Sequence, residues 1–100
     1  MRIDFDWDPA KAASNAAKHG VTFEEAMTVF RDPLARSILD PDHGDGEERW
    51  ITLGEASTGN LFVVMHTWAD IEPGRMAVRI ISARRPTRSE ARQYREDPMP

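Results

Sequence analysis

A chain of 100 residues, 40% hydrophobic and 30% charged, suffices for one small core and one domain. With no cysteine it has no disulfide, thiol nucleophile, iron–sulfur cluster or thiolate zinc site, and its longest charge-free apolar stretch, residues 61–69, is far short of the ~20 residues of a membrane span. The net charge is −4, and the three acids within Met1–Asp8 do not read as a signal peptide, so a cytoplasmic protein is expected.

Residues 1–7 alternate, with Ile3, Phe5 and Trp7 on one side and Arg2, Asp4 and Asp6 on the other, which predicts a half-buried strand. Asp8 and Pro9 then open a helix, as a cap and a first-turn residue, and Gly20 stops it after Lys18 and His19. Thr22–Glu25 reads as a capping box for a second helix, whose Phe23, Ala26, Met27 and Phe30 form one apolar stripe ended at Asp32-Pro33. Leu34–Leu39 is a weak strand, Asp40–Glu48 a polar loop, and Arg49–Leu53 a strand ended by Gly54. A turn at Ser57–Asn60 leads to the strongest strand, Leu61–Trp68. A turn at Ile71–Gly74 precedes a last strand, Arg75–Ala83. Thr87–Glu90 is another capping box, opening a final helix to about Glu96; residues 97–100 read as a frayed tail.

The order β-α-α-β-β-β-β-α, with short turns between the later strands, predicts an α+β fold over residues 1–96. Its sheet is expected to be antiparallel, with helices mainly on one face. Charge is unevenly spread: residues 1–60 hold 6 basic and 12 acidic side chains, whereas residues 79–95 hold six Arg and one acid, Glu90. Arg presents a planar fork of donors suited to phosphate or carboxylate. The plain reading of such a stretch is a solvated helix face.

Several strings share one pattern: Phe5–Pro9 with Lys11 and Asn15; Lys18–Phe23 with Ala26, Phe30 and Asp32-Pro33; Glu48–Trp50 and Gly54; Val63–His66; and Arg79–Arg84 with Glu90 and Tyr94. On these the chain resembles the BrnT family of toxins of type II toxin–antitoxin systems over about residues 4–95, departing in a longer Ile71–Gly74 turn. The resemblance implies a RelE-like fold and a metal-independent endoribonuclease that halts translation, with no cofactor. It also implies a BrnA-like antitoxin carrying a ribbon-helix-helix domain, with operator DNA bound only through that partner.

Metal-independent cleavage uses RNA's own 2′-hydroxyl and needs proton carriers and cations around the phosphate. The candidate proton carriers are His19, His66 and Tyr94, with His43 in the acidic loop reading as solvated. A lone His on an apolar strand face, as His66 is, is often simply a packed core residue. Arg79 interrupts an apolar strand and must face solvent, a groove or a partner. With the family considered, Arg79 and Arg84 are expected to contact phosphate, with His66 and His19 beside them as catalytic candidates. Lys11, Lys18, Arg49, Arg85 and Tyr94 are RNA-binding candidates, although Lys11 and Lys18 would equally suit plain surface. Arg88, Arg92 and Arg95 form one helical stripe, read as a solvated face or an antitoxin contact. The Asp40–Gly46 segment resembles a calcium loop but fails at loop positions 5, 6 and 12, so no metal is expected. Two other readings stand beside the toxin: a non-catalytic protein whose Arg-rich region docks an acidic partner or nucleic acid, and a metal-dependent hydrolase built on the acidic loop.

Overall fold

A computed structural model describes residues 1–41 and 48–96. The elements are β1 (Arg2–Trp7), α1 (Pro9–His19), α2 (Phe23–Ala26) tightening into a 3-10 turn (Met27–Arg31), β2 (Arg36–Leu39), β3 (Trp50–Glu55), β4 (Leu61–His66), β5 (Ala69–Glu72), β6 (Arg75–Arg84) and α3 (Arg88–Glu96). His43, the rest of residues 42–47 and the expected tail at 97–100 lie outside the described residues.

The helix ends follow their local chemistry. Asp8 accepts from the Ala10 N–H at 3.0 Å, and Gly20, at φ 69°, closes α1 by donating to Ala16 O. Thr87 and Glu90 make a reciprocal box at the start of α3, at 2.7 and 3.1 Å. The box expected at Thr22 is half made. Thr22 Oγ1 accepts from the Glu25 N–H at 3.1 Å, but the Glu25 carboxylate turns away to Thr58 and Asn60.

The strands depart from expectation in three places. β3 begins at Trp50 and runs through Gly54 to Glu55. A Cβ at Gly54 would lie 3.1 Å from Ala35 Cβ and 3.2 Å from Val29 O, so the glycine admits the 3-10 turn against the sheet. β4 ends at His66, and part of the supposed 71–74 turn is β5, paired antiparallel with β6 through Pro73-Gly74. The sheet is mixed, in the order β1-β6-β4-β3-β2, because β1 lies parallel to β6. Short turns dictate antiparallel pairing only between strands that they join, and β1 and β6 are joined by most of the chain.

One face of the sheet carries the core. Val21, Phe23, Ala26 and Val29 pack on Phe62, Val64, Val78, Ile80 and Ala83, with Ile3, Phe5 and Trp7 alongside. As expected, α1 and α2 cover this face. α3 crosses the other, placing Glu90, Gln93 and Tyr94 over Ile38, Ile51, Leu53 and Val63. β1 ends opposite Ile80, so the last part of β6 lacks a strand on that side. Asn15 of α1 takes its place: its side chain donates to Ala83 O at 2.8 Å and accepts from the Ala83 N–H at 3.0 Å. It also donates to Val21 O at 3.0 Å, and the residue is buried.

Candidate active site

The site builds up from the alternation of β6. Met76, Val78 and Ile80 face the core, so Arg79 points to the opposite, open face. A register shift between Met65 and His66 inserts Ile81, after which Ser82 pairs with Met65 and Ala83 returns to the core. The bulge therefore keeps Arg79, Ser82 and Arg84 on one face, where unbroken alternation would have turned Ser82 and Arg84 inward.

Across the sheet at Arg79, pairing lines up a row of residues. Asp6 of β1 is its register partner and holds the Arg79 guanidinium in an ion pair. On the other side the Thr67 N–H donates to Arg79 O at 2.9 Å. Extending the β3–β4 register by one step sets Arg49 beside Thr67, and the Asp40 N–H donates to Arg49 O at 2.8 Å. Nε of Arg49 is buried and has no hydrogen-bond partner among the described residues. The Arg79–Asp6 pair is open to water, with side chains 49% and 71% exposed. An exposed pair of this kind is worth under about 1 kcal/mol, so a competing anion displaces the carboxylate readily.

Two residues further along β6, where β1 has ended, lies a cleft of about 210 Å³ between α1 and β6, lined by Lys11, Ser14, Asn15, Lys18, His19, Ile81 and Ser82. Lys11, Lys18 and His19, predicted from sequence, thus meet in one place, and no described carboxylate lines it. Asn15 shares their helical face but its amide is spent on β6.

The other candidates are not brought there. His66 is 0% exposed and sits on the core face, against Phe30 and Trp68. Burial pushes its pKa below 6.5, so the ring is neutral. Expected as a catalytic group, it is a core histidine in this fold, because residue 66 has the opposite parity to the exposed face. Arg84 lies on the open face, but its fork is filled: Glu90 takes it in a bidentate pair at 2.8 and 3.0 Å. That guanidinium holds the Glu90 carboxyl down to about 2, outweighing the opposing effect of burial. Tyr94 donates to Asp32; burial, then this bond, pushes its hydroxyl up to about 12, so it holds its proton. Arg84 and Tyr94 therefore pin α3 to the body of the fold. Arg85 lies 5.9 Å over the Phe62 ring, and Arg88, Arg92 and Arg95 are exposed on α3.

Sequence reasoning passed over Thr67, Ser82 and the role of Asp6. The double Ile80-Ile81 inside an alternating strand is the one local sign of the bulge. Among the described residues no group of three His, Asp or Glu side chains is placed to hold a metal ion.

Comparison with known proteins agrees with this architecture. The family model described as the ribonuclease toxin BrnT of type II toxin–antitoxin systems matches residues 7–90. The 1.1 Å crystal structure of the Brucella abortus ribonuclease toxin BrnT is similar in fold, with a TM-score of 0.58 and 22% identity, over 88% of this chain and all of that one. No curated protein matches the sequence.

Proposed function

This chain belongs to the BrnT family of ribonuclease toxins of type II toxin–antitoxin systems, and from that premise we propose that it cleaves RNA on the open face of the sheet. The 2′-hydroxyl attacks the adjacent phosphorus and the 5′-oxygen leaves, with the protein supplying positive charge and proton transfer and no metal. Arg79 exchanges Asp6 for the scissile phosphate and stabilises the charge that builds on it. Lys11 and Lys18 hold flanking phosphates, Arg49 adds a cation across Thr67, and His19 is the proton carrier of the cleft. Arg85, over the Phe62 ring at the end of β6, adds a cation on the side of α1.

One observation carries this reading. A half-exposed Arg with a displaceable carboxylate stands on β6 two residues before Ile81, and Ile81 lines a cleft that gathers Lys11, Lys18 and His19 with no described acid in its lining. The same geometry recasts Arg84 and Tyr94 as anchors of α3. Inhibition of translation follows from loss of messenger RNA.

The antitoxin of the pair is proposed to be BrnA-like. Its acidic segment covers the exposed Arg88 and Arg92 and blocks entry to the face below, while its ribbon-helix-helix domain alone reads the operator. The test uses purified protein and an RNA transcript, with and without chelator, beside the same sequence bearing 2′-deoxyribose at the cut sites. Cleavage in chelator that leaves 2′,3′-cyclic phosphate ends and stops at the deoxy positions is expected. Activity that persists on the deoxy substrate, or is lost in chelator, rejects the mechanism.

A further inference from the structure

His66 is sealed in the core, yet every hydrogen bond it makes has a fixed direction. Its Nδ1 lies 2.9 Å from the carbonyl oxygen of Thr67. A carbonyl only accepts, so Nδ1 carries the proton. In the neutral ring Nε2 must then accept, and the Thr52 hydroxyl at 2.6 Å donates to it. The Ser37 hydroxyl, 2.7 Å from Thr52 Oγ1, donates in turn. Phe30, edge-on with centroids 4.8 Å apart, and Trp68, at 5.9 Å, hold the ring plane.

The consequence appears on the opposite face. Thr67 and Arg79 stand one step beyond the His66–Ile80 pair, where a regular antiparallel ladder would exchange two backbone hydrogen bonds. Only one is made by backbone alone, from the Thr67 N–H to Arg79 O. The Thr67 carbonyl is drawn to His66, and Thr67 Oγ1 accepts from the Arg79 N–H instead, at 3.2 Å. The bulge at Ile81 lies just beyond the His66–Ile80 pair, on the side away from this exchange.

We propose that His66 is a positioning residue for RNA cleavage: by holding the Thr67 carbonyl inward it makes the Thr67 hydroxyl the clamp on the Arg79 backbone, and so sets where that guanidinium meets the phosphate. The proposal rests on the reading of Arg79 as the charge-stabilising cation. A displacement of about 1 Å at such a group costs of the order of 100-fold in rate.

The experiment compares single-turnover cleavage of one RNA transcript by wild type, His66→Phe, His66→Asn, Thr67→Val, Arg79→Ala and the His66→Phe/Arg79→Ala pair. Amide NMR spectra establish folding and report the Arg79 N–H. Phe keeps the ring packing and loses the bond to Thr67, whereas the Asn amide places an N–H where Nδ1 stands. Expected are a fall of about 10- to 100-fold in rate for the Phe and Val variants, with RNA affinity unchanged and the Arg79 amide shifted. Asn recovers at least part of that rate, and Phe adds no loss to Arg79→Ala. A folded His66→Phe or Thr67→Val protein cleaving at the wild-type rate, an Asn variant no better than Phe, or losses that multiply in the pair would each overturn the positioning role while leaving Arg79 in place. Wild-type cleavage by Arg79→Ala would instead remove the reading beneath it, and the proposal with it. Should the Phe protein not fold, Thr67→Val carries the decision.

Discussion

Arg79 stands in an apolar strand at little cost because it points away from the core, on the face where α3 lies over Ile38, Ile51, Leu53 and Val63 rather than over Arg79, and Asp6 meets it there in water. A pair this exposed contributes little to stability, so Arg79→Ala is expected to leave the melting temperature nearly unchanged. It should lower the cleavage rate by about 10²–10³. Lysine restores part of that rate, since a point charge replaces a fork. A drop of several degrees in melting temperature would instead mark Arg79 as a structural residue. Asn15 presents the reverse case. Its three hydrogen bonds to Ala83 and Val21 are buried, and alanine would leave two strand groups of Ala83 unpaired. Denaturant unfolding should show Asn15→Ala to be less stable by roughly 2–3 kcal/mol. Helical spacing placed Lys11, Asn15 and Lys18 on one polar face correctly. It did not separate the structural amide from the two lysines, because which polar residue meets the end of β6 depends on where β1 stops.

At the scale of elements, α3 is the helix held by polar bonds. None of its residues is buried, and it is fastened by Arg84–Glu90 and Tyr94–Asp32. Glu90 has its carboxyl held at about 2, against an ordinary value of 4.5, chiefly by Arg84. A carboxylate depressed in the fold stabilises it above the unfolded value, and that contribution disappears as pH falls from 4.5 toward 2. Melting curves taken across this range should therefore fall less steeply for Glu90→Gln than for wild type, with the variant already less stable at neutral pH. Asp4 and Asp32 are depressed as well, the first mainly by its bond to Arg75 and the second by bonds to Tyr94 and backbone amides that outweigh burial, so some slope remains. Parallel curves for the two proteins would show that the ion pair does not anchor the helix. His66 acts in the same direction but at higher pH: burial depresses it below 6.5, so stability is lost as pH falls through its folded value. The capping box of α3 was legible from Thr87–Glu90 alone. That the same carboxylate also answers Arg84 was not, since the helix can cross either face.

At the scale of the molecule, an acidic chain of net charge −4 gathers three basic side chains at the edge of β6 beyond the end of β1. Lys11, Lys18 and His19 share a cleft with β6, and a local field of this kind acts within roughly 8–10 Å whatever the overall charge. Lys18→Ala should weaken RNA binding and reduce the slope of log affinity against log salt by about 0.7; an unchanged slope would place RNA elsewhere. What the sequence by itself determined is local. Asp8-Pro9, Gly20 and Thr87–Glu90 bound their helices, alternation marks β1, and the strings from Phe5 to Tyr94 carry the family resemblance. Each of these depends on neighbours a few residues apart, where sterics and hydrogen bonding act directly. The tertiary structure alone decided that β1 runs parallel to β6, that a bulge at Ile81 changes the parity of β6, and that α3 takes the face opposite α1. The bulge puts Ser82 and Arg84 on the side of Arg79, where Arg84 meets Glu90 of α3. Alternation orders side chains within one strand, but it carries no information about which strand comes next to it or which face a distant helix covers. Pairings between residues more than seventy apart are chosen by burial over the whole sheet.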